Sequence, residues 1–239
     1  MAGRTHIAPR LPEPLVETVN GSPRYRGPGI RIHTLTLAAR PHALASLADA
    51  ADLLDQDDYA RKFIEEDRAP YGLELWPASI MLAERVLAAE PGRGRRAMEL
   101  GCGLGLVAMA ATMHGRNVVA TDHEDSAFRF AEYNARANGI DVPAFERLDW
   151  REPPTGRKFD LVLAADALYQ LVDHAPILAC VRGLLAPTGR ALIVDPNRSG
   201  AARFADLARA EDGDVHVKPV ATTHPVTRSP TGRMFTLSL

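Results

Sequence analysis

Seven residues, Glu99-Leu-Gly-Cys-Gly-Leu-Gly105, constrain this chain more than any other stretch. They join an apolar strand-like run, Arg96 to Leu100, to an apolar run of helical spacing from Leu104 to about His114. Glycines let a backbone turn sharply between such elements and approach a ligand with no Cβ in the way. The alternation continues downstream. Strands are expected over Asn117 to Thr121, Ala144 to Leu148, Phe159 to Ala165 and Gly189 to Val194, with helices over Asp125 to Asn138, Val172 to Leu185 and Ala201 to Ala210. Two closing strands, Asp214 to Val220 and Arg233 to Leu239, complete the pattern. Strand–helix alternation of this kind predicts an α/β fold, a Rossmann-like, doubly wound and mostly parallel seven-stranded sheet.

The region before the first helix, expected from Pro77 to about Glu90, is less regular. Residues 1–29 are rich in Pro, Gly and Arg and read as an extended or partly disordered arm. Ile30 to Leu37 alternates as a half-buried strand does, Pro41 to Leu54 has helical Ala/Leu spacing, and Asp55 to Pro70 reads as a further short helix. The division is therefore an N-terminal extension over 1–70 and a catalytic-type domain over 71–239.

Composition excludes several classes. The 28 basic and 30 acidic side chains leave a formal charge of −2, without the broad positive field of a non-specific nucleic-acid binder. A local basic patch is compatible with these numbers. No apolar run reaches membrane-spanning length, and the first 21 residues lack the apolar stretch of a signal peptide. Two cysteines, Cys102 and Cys180, suit a reduced, cytoplasmic setting. Eight histidines without metal-ligand spacing predict no metal.

In a doubly wound sheet, ligands bind beyond the carboxyl ends of the strands, where strand order reverses. Glu99, the glycines at 101, 103 and 105, Asp122, Asp149-Trp150 and Ala165-Asp166 all fall at such ends. The dinucleotide fingerprint G-x-G-x-x-G fails at Leu106. An acid two places before the first glycine suits a ligand bearing an ammonium group, as the methionine part of S-adenosylmethionine does. Asp122 is positioned to accept the ribose hydroxyls. His123 beside it reads as a surface residue at the cofactor's margin rather than a catalyst. Asp149 is a candidate for the adenine amino group, with Trp150 stacked on the ring. Asp166 and Tyr169 follow the fourth strand, where a carboxylate or phenol can prepare an amine acceptor.

On these residues the segment from about 71 to 198 resembles the class I (seven-β-strand) S-adenosylmethionine-dependent methyltransferases. Within them it is most similar to the seven-strand protein lysine methyltransferases, through Leu75-Trp76-Pro77, Asn134 and Asn138, Asp149-Trp150 and Asp166-x-x-Tyr169. Asp195-Pro-Asn-Arg198 is similar to a stretch of the electron-transfer flavoprotein β-subunit lysine methyltransferases. The resemblance implies S-adenosyl-L-methionine as cofactor, with Trp76, Glu99, Gly101, Gly103, Asp122 and Trp150 in contact with it. It implies a protein lysine as acceptor, with Asp166 and Tyr169 as catalytic residues facing it. Small-molecule N- or O-methylation on the same scaffold is the alternative, and a non-catalytic binding module a more distant one. A closed lid built from residues 30–70 would favour the small molecule, an open groove the protein.

Overall fold

The computed structural model describes residues 16–19 and 22–25 as backbone, and residues 29–49, 71–211, 214–224 and 231–238 in full. The Asp55 to Pro70 helix expected from the sequence lies outside these residues. Val16–Val19 (β1) and Ser22–Tyr25 (β2) pair as a small antiparallel hairpin within the expected arm.

The main sheet has seven strands, in line with expectation. Arg96–Leu100 (β5), Asn117–Asp122 (β6), Ala144–Arg147 (β7), Phe159–Ala165 (β8) and Leu185–Asp195 (β9) are parallel, and Asp214–Ala221 (β10) and Thr231–Ser238 (β11) close it in the order β10-β11-β9-β8-β5-β6-β7. The strand β11 runs antiparallel to both neighbours. Side chains of β5 and β8 alternate between two cores. Ala97, Leu161 and Leu163 face one and Met98, Leu100, Val162 and Ala164 the other, the period-two signature of strands buried on both faces.

The first face is covered by Pro77–Leu87 (α1), Leu106–Met113 (α2) and Asp125–Ala137 (α3), the second by His174–Leu184 (α4) and Ala201–Ala210 (α5). Pro77 begins α1 at a position where its missing N–H costs nothing. The helix α2 is buried at every position from Leu106 to Ala111, which explains why it carries no polar face. Among the described residues no helix is long and apolar enough to cross a membrane.

One expectation is overturned. Instead of a helix over Pro41 to Leu54, Arg40–Leu47 (β4) pairs antiparallel with Ile30–Leu37 (β3). The two-residue turn between them is Ala38-Ala39, both at positive φ, 48° and 61°. Such a turn ordinarily carries Asn or Gly, so nothing local announces it. Tertiary contact supplies what propensity does not. Asn134 on α3 accepts the Ala45 N–H at 2.7 Å and donates to the Ala45 and Leu104 carbonyls at 3.1 and 3.0 Å. Asn138, one turn on, accepts the Ala43 N–H at 2.9 Å and donates to its carbonyl at 2.7 Å. Two asparagines thus pair with β4 as another strand would.

Asn134 is fully buried with three partners, each of which a truncation orphans. Asn134→Ala should cost about 2–4 kcal/mol of unfolding free energy and Asn138→Ala about 1 kcal/mol, because the latter site is wet. Denaturant melts, with amide exchange at Ala43 and Ala45, measure both. Unchanged exchange there would refute this account of the hairpin's docking.

Candidate active site

Strand order reverses between β5 and β8, and a pocket of about 340 Å³ opens at their carboxyl ends. Glu99, next to last in β5, forms its floor at 1% exposure. Its carboxyl receives the Ala108 N–H from the first turn of α2. Its Oε2, however, is sealed without a hydrogen-bond partner. Burial pushes the Glu99 pKa well above the usual carboxylate range; the Ala108 N–H opposes the rise and the nearby Asp122 charge adds to it.

The turn that follows is glycine by necessity at two places. Gly103 sits at φ +49°, and a Cβ there would stand 2.6 Å from the Gly72 carbonyl oxygen. Gly105 sits at φ +76°, and its Cβ would meet that of Ala131 at 2.6 Å. Gly101 and Gly103 line the pocket; Gly105 does not. The third glycine, for which a cofactor contact was expected, admits α3 against α2 from a position outside the pocket lining.

Asp122, at the end of β6, lines the pocket with His123. Its Oδ2 accepts the Gly103 N–H at 2.9 Å, and its Oδ1 accepts the Glu124 N–H at 3.1 Å and lies 3.3 Å from His123 Nδ1. A carboxylate has about four acceptor positions, so capacity for hydroxyl donors remains. Trp150 lies buried beneath Gly101 and also lines the pocket, whereas Asp149 stands outside it. Asp149 is drawn to the surface by a forked pair with Arg151, whose Nε lies 2.9 and 3.0 Å from the two carboxylate oxygens. The adenine contact expected of Asp149 therefore has no support in this geometry.

The opposite wall is made of Trp76, Ala165, Asp166 and Tyr169, all expected, with Tyr71 and Arg198, which were not. Asp166 adopts φ +56°, a conformation uncommon for a residue with a side chain. Its N–H is held by the Val194 carbonyl at 2.8 Å, and its Oδ1 accepts from Arg198 Nε at 2.7 Å. Oδ2 is buried without a partner. Arg198 is presented by the loop after β9, where buried Asp195 accepts the Arg198 N–H at 2.7 Å. Burial raises the Asp195 pKa despite that bond. Around this carboxylate the Tyr71 ring meets those of Trp76 and Tyr169 edge-on, with centroids 5.9 and 6.3 Å apart. The Trp76 indole N–H donates to the Tyr71 carbonyl at 2.7 Å, and the Arg198 guanidinium lies 5.7 Å from the Trp76 ring.

Sequence reasoning missed Arg198 although its loop was noted. The signal was adjacency: β8 and β9 are parallel neighbours, so the loops that follow them meet. No local pattern marks Tyr71. Among the described residues, no cluster of three or more His, Cys, Asp or Glu side chains forms a metal site. Among the described residues the β3–β4 hairpin does not line the pocket.

With this geometry in hand, likeness to known proteins is informative. The profile of the lysine methyltransferase family matches residues 56–206. The protein N-terminal and lysine N-methyltransferase EFM7 of Eremothecium gossypii is 35% identical over 150 residues, 54% of this chain and 56% of that protein. A ubiquinone biosynthesis O-methyltransferase of Xylella fastidiosa is 30% identical over 51% of this chain and 50% of its own. The chain thus matches only about half the length of either relative. Magnesium protoporphyrin IX methyltransferase of Synechocystis, solved with S-adenosylmethionine bound, superposes with a TM-score of 0.56 over 79% of this chain and 94% of its own, at 15% identity, a likeness of fold alone.

The buried Glu99 carboxyl sets a pH test. A folded carboxyl with a raised pKa holds its proton more tightly than the unfolded one, so it costs stability once pH exceeds the unfolded value, increasingly up to the folded one. In the ligand-free protein, Glu99→Gln should therefore melt like wild type below about pH 4 and be more stable by about 1 kcal/mol or more at about pH 8. Thermal melts at both pH values check this; a less stable variant at the higher pH would show that the charge is compensated.

Proposed function

The chain belongs to the lysine methyltransferase family, and from that premise we propose that it transfers a methyl group from S-adenosylmethionine to the ε-amine of a protein lysine. The observation that carries the acceptor is Asp166 Oδ2, a buried carboxylate oxygen with no partner beside three aromatic rings. An ammonium group and its alkyl stem are what such a surface attracts.

The pocket also fits the donor. The orphaned Glu99 Oε2 complements an ammonium, the glycine turn leaves room for backbone contact, and Asp122 retains acceptor capacity for ribose hydroxyls. Trp150 offers an apolar surface to the base, and Trp76 and His123 stand at the margin. When bound, S-adenosylmethionine supplies an electrophilic methyl on a sulfonium.

The chain's own part is to orient and desolvate the amine. Asp166 Oδ1 is committed to Arg198, so Oδ2 is the atom that receives the amine's hydrogen bond and turns its lone pair toward the donor. Tyr71, Trp76 and Tyr169 exclude water around the alkyl stem, which favours the neutral amine. Arg198 acts through Asp166 as a positioning residue. Two buried thiols suit the reducing cytoplasm, where this reading places the reaction.

Calorimetry with S-adenosylmethionine and its demethylated product tests the donor site; Asp122→Ala should weaken binding by about tenfold or more. Labelled-methyl transfer onto cell protein, followed by residue analysis, tests the acceptor. Asp166→Asn and Arg198→Gln should each slow transfer by about a hundredfold while donor affinity stays within about threefold. Absence of donor binding by the wild-type protein would sink the reading. Label confined to small molecules would favour the alternative acceptor suggested by the O-methyltransferase relatives.

A further inference from the structure

The opposite edge of the sheet, where the parallel strands begin, has a different character. Pro91 to Arg96 supplies three arginines, Arg116 immediately precedes β6, and Arg190 lies on β9. Arg93, Arg95, Arg96 and Arg190 are exposed. Arg116 is not: it is 6% exposed, and its Nε is sealed without an acceptor. It lies in a slot that exists because residue 92 is glycine, where a Cβ would stand 2.2 Å from Arg116 Cγ.

A buried guanidinium N–H without an acceptor is costly, and the neighbouring charges add to the cost. Burial lowers the Arg116 pKa, and the charges of Arg95 and Arg190 lower it further. Among the described residues the carboxylate that opposes them is Asp160, and its Oδ2 accepts the Arg96 N–H at 2.8 Å. Arg96 itself is turned onto the Phe159 ring, 4.6 Å from its centroid. Arg95 uses only Nε, donating to the Gly92 carbonyl at 3.2 Å, so its terminal nitrogens remain for another acceptor. Three guanidinium groups thus lie near enough to act on one another's charge, with the Asp160 carboxylate opposing them.

We propose that Arg95, Arg116 and Arg190 form a binding site for a phosphate-class oxyanion at the sheet's amino edge, remote from the methyl-transfer pocket. Planar guanidinium donors match the oxygens of a phosphate better than any other side chain does. Arg116, held by its slot, offers its terminal nitrogens, and Arg95 and Arg190 close over the anion from the surface. The group is either a free phosphate or one carried on a nucleic-acid backbone; the chemistry at the arginines is the same.

Calorimetry on the full chain, with inorganic phosphate and pyrophosphate at constant ionic strength, tests the site. Binding tighter than chloride, weakened at least about tenfold in Arg95→Gln/Arg190→Gln and unchanged in Arg203→Gln on α5, is the expected result. Both substituted positions are exposed, so the double variant should melt like wild type in chloride, separating lost binding from lost folding. Phosphate binding no tighter than chloride, or indifferent to the double variant, overturns the proposal. So does loss of binding in Arg198→Gln, which would assign the anion to the other pocket. A uridine oligonucleotide whose binding requires Arg95 and Arg190 and exceeds that of pyrophosphate by about tenfold identifies a nucleic-acid backbone as source; weaker binding identifies the free anion.

Discussion

The chemistry of this protein depends on the reversal of strand order between β5 and β8. After β5 the chain turns to the face covered by α2, and after β8 it turns to the face covered by α4. Two parallel neighbours whose continuations leave in opposite directions must open a crevice between them. Each contributes an acid to it, Glu99 from β5 and Asp166 immediately after β8, and both are buried with one oxygen unpartnered. Such groups are expensive in a core. Two at one crevice are the mark of a site that a ligand completes.

The two acids are supported differently. Glu99 relies on the helix behind it, since the Ala108 N–H belongs to the first turn of α2, where donors lack intrahelical partners. Asp166 relies on the loop that follows the next strand, β9. Asp195, wholly buried at the end of β9, fixes the Arg198 backbone, and Arg198 in turn holds Asp166 in its left-handed conformation. The Asp166 carboxylate is therefore set by a relay of charged groups across adjacent strand ends. A strained residue at such a place is sustained by its surroundings rather than by its own preference.

The sheet was legible because both of its faces are buried. Phe159 to Ala165 could be nothing but a central strand, and Arg96 to Leu100 ends where the glycines begin. The pocket followed, because strand ends locate ligands whatever the loops do. What stayed hidden depends on contacts between distant segments. Ala38-Ala39 turns a hairpin only because Asn134 and Asn138 hold β4 in place. Asp149 and Gly105 have the right positions for ligand contact, yet Arg151 claims one and Ala131 requires the other. Arg198 is visible as a motif residue but acquires its role only when β9 is known to lie beside β8.

The segment from Tyr71 to Trp76 joins the two halves of the pocket. The Gly72 carbonyl lies so close over Gly103 that neither backbone can move toward the other, and Gly103 is itself tied to Asp122. The Tyr71 carbonyl holds the Trp76 indole, while the Tyr71 ring reaches Tyr169 on the Asp166 side. One short stretch of chain thus rests on the glycine turn and at the same time forms the aromatic wall beside Asp166. A shift on either side must be felt on the other, because packed backbone has no slack through which to absorb it. The two ends of the pocket are for this reason parts of one rigid assembly, and the aromatic wall owes its position to the same glycines that shape the opposite end.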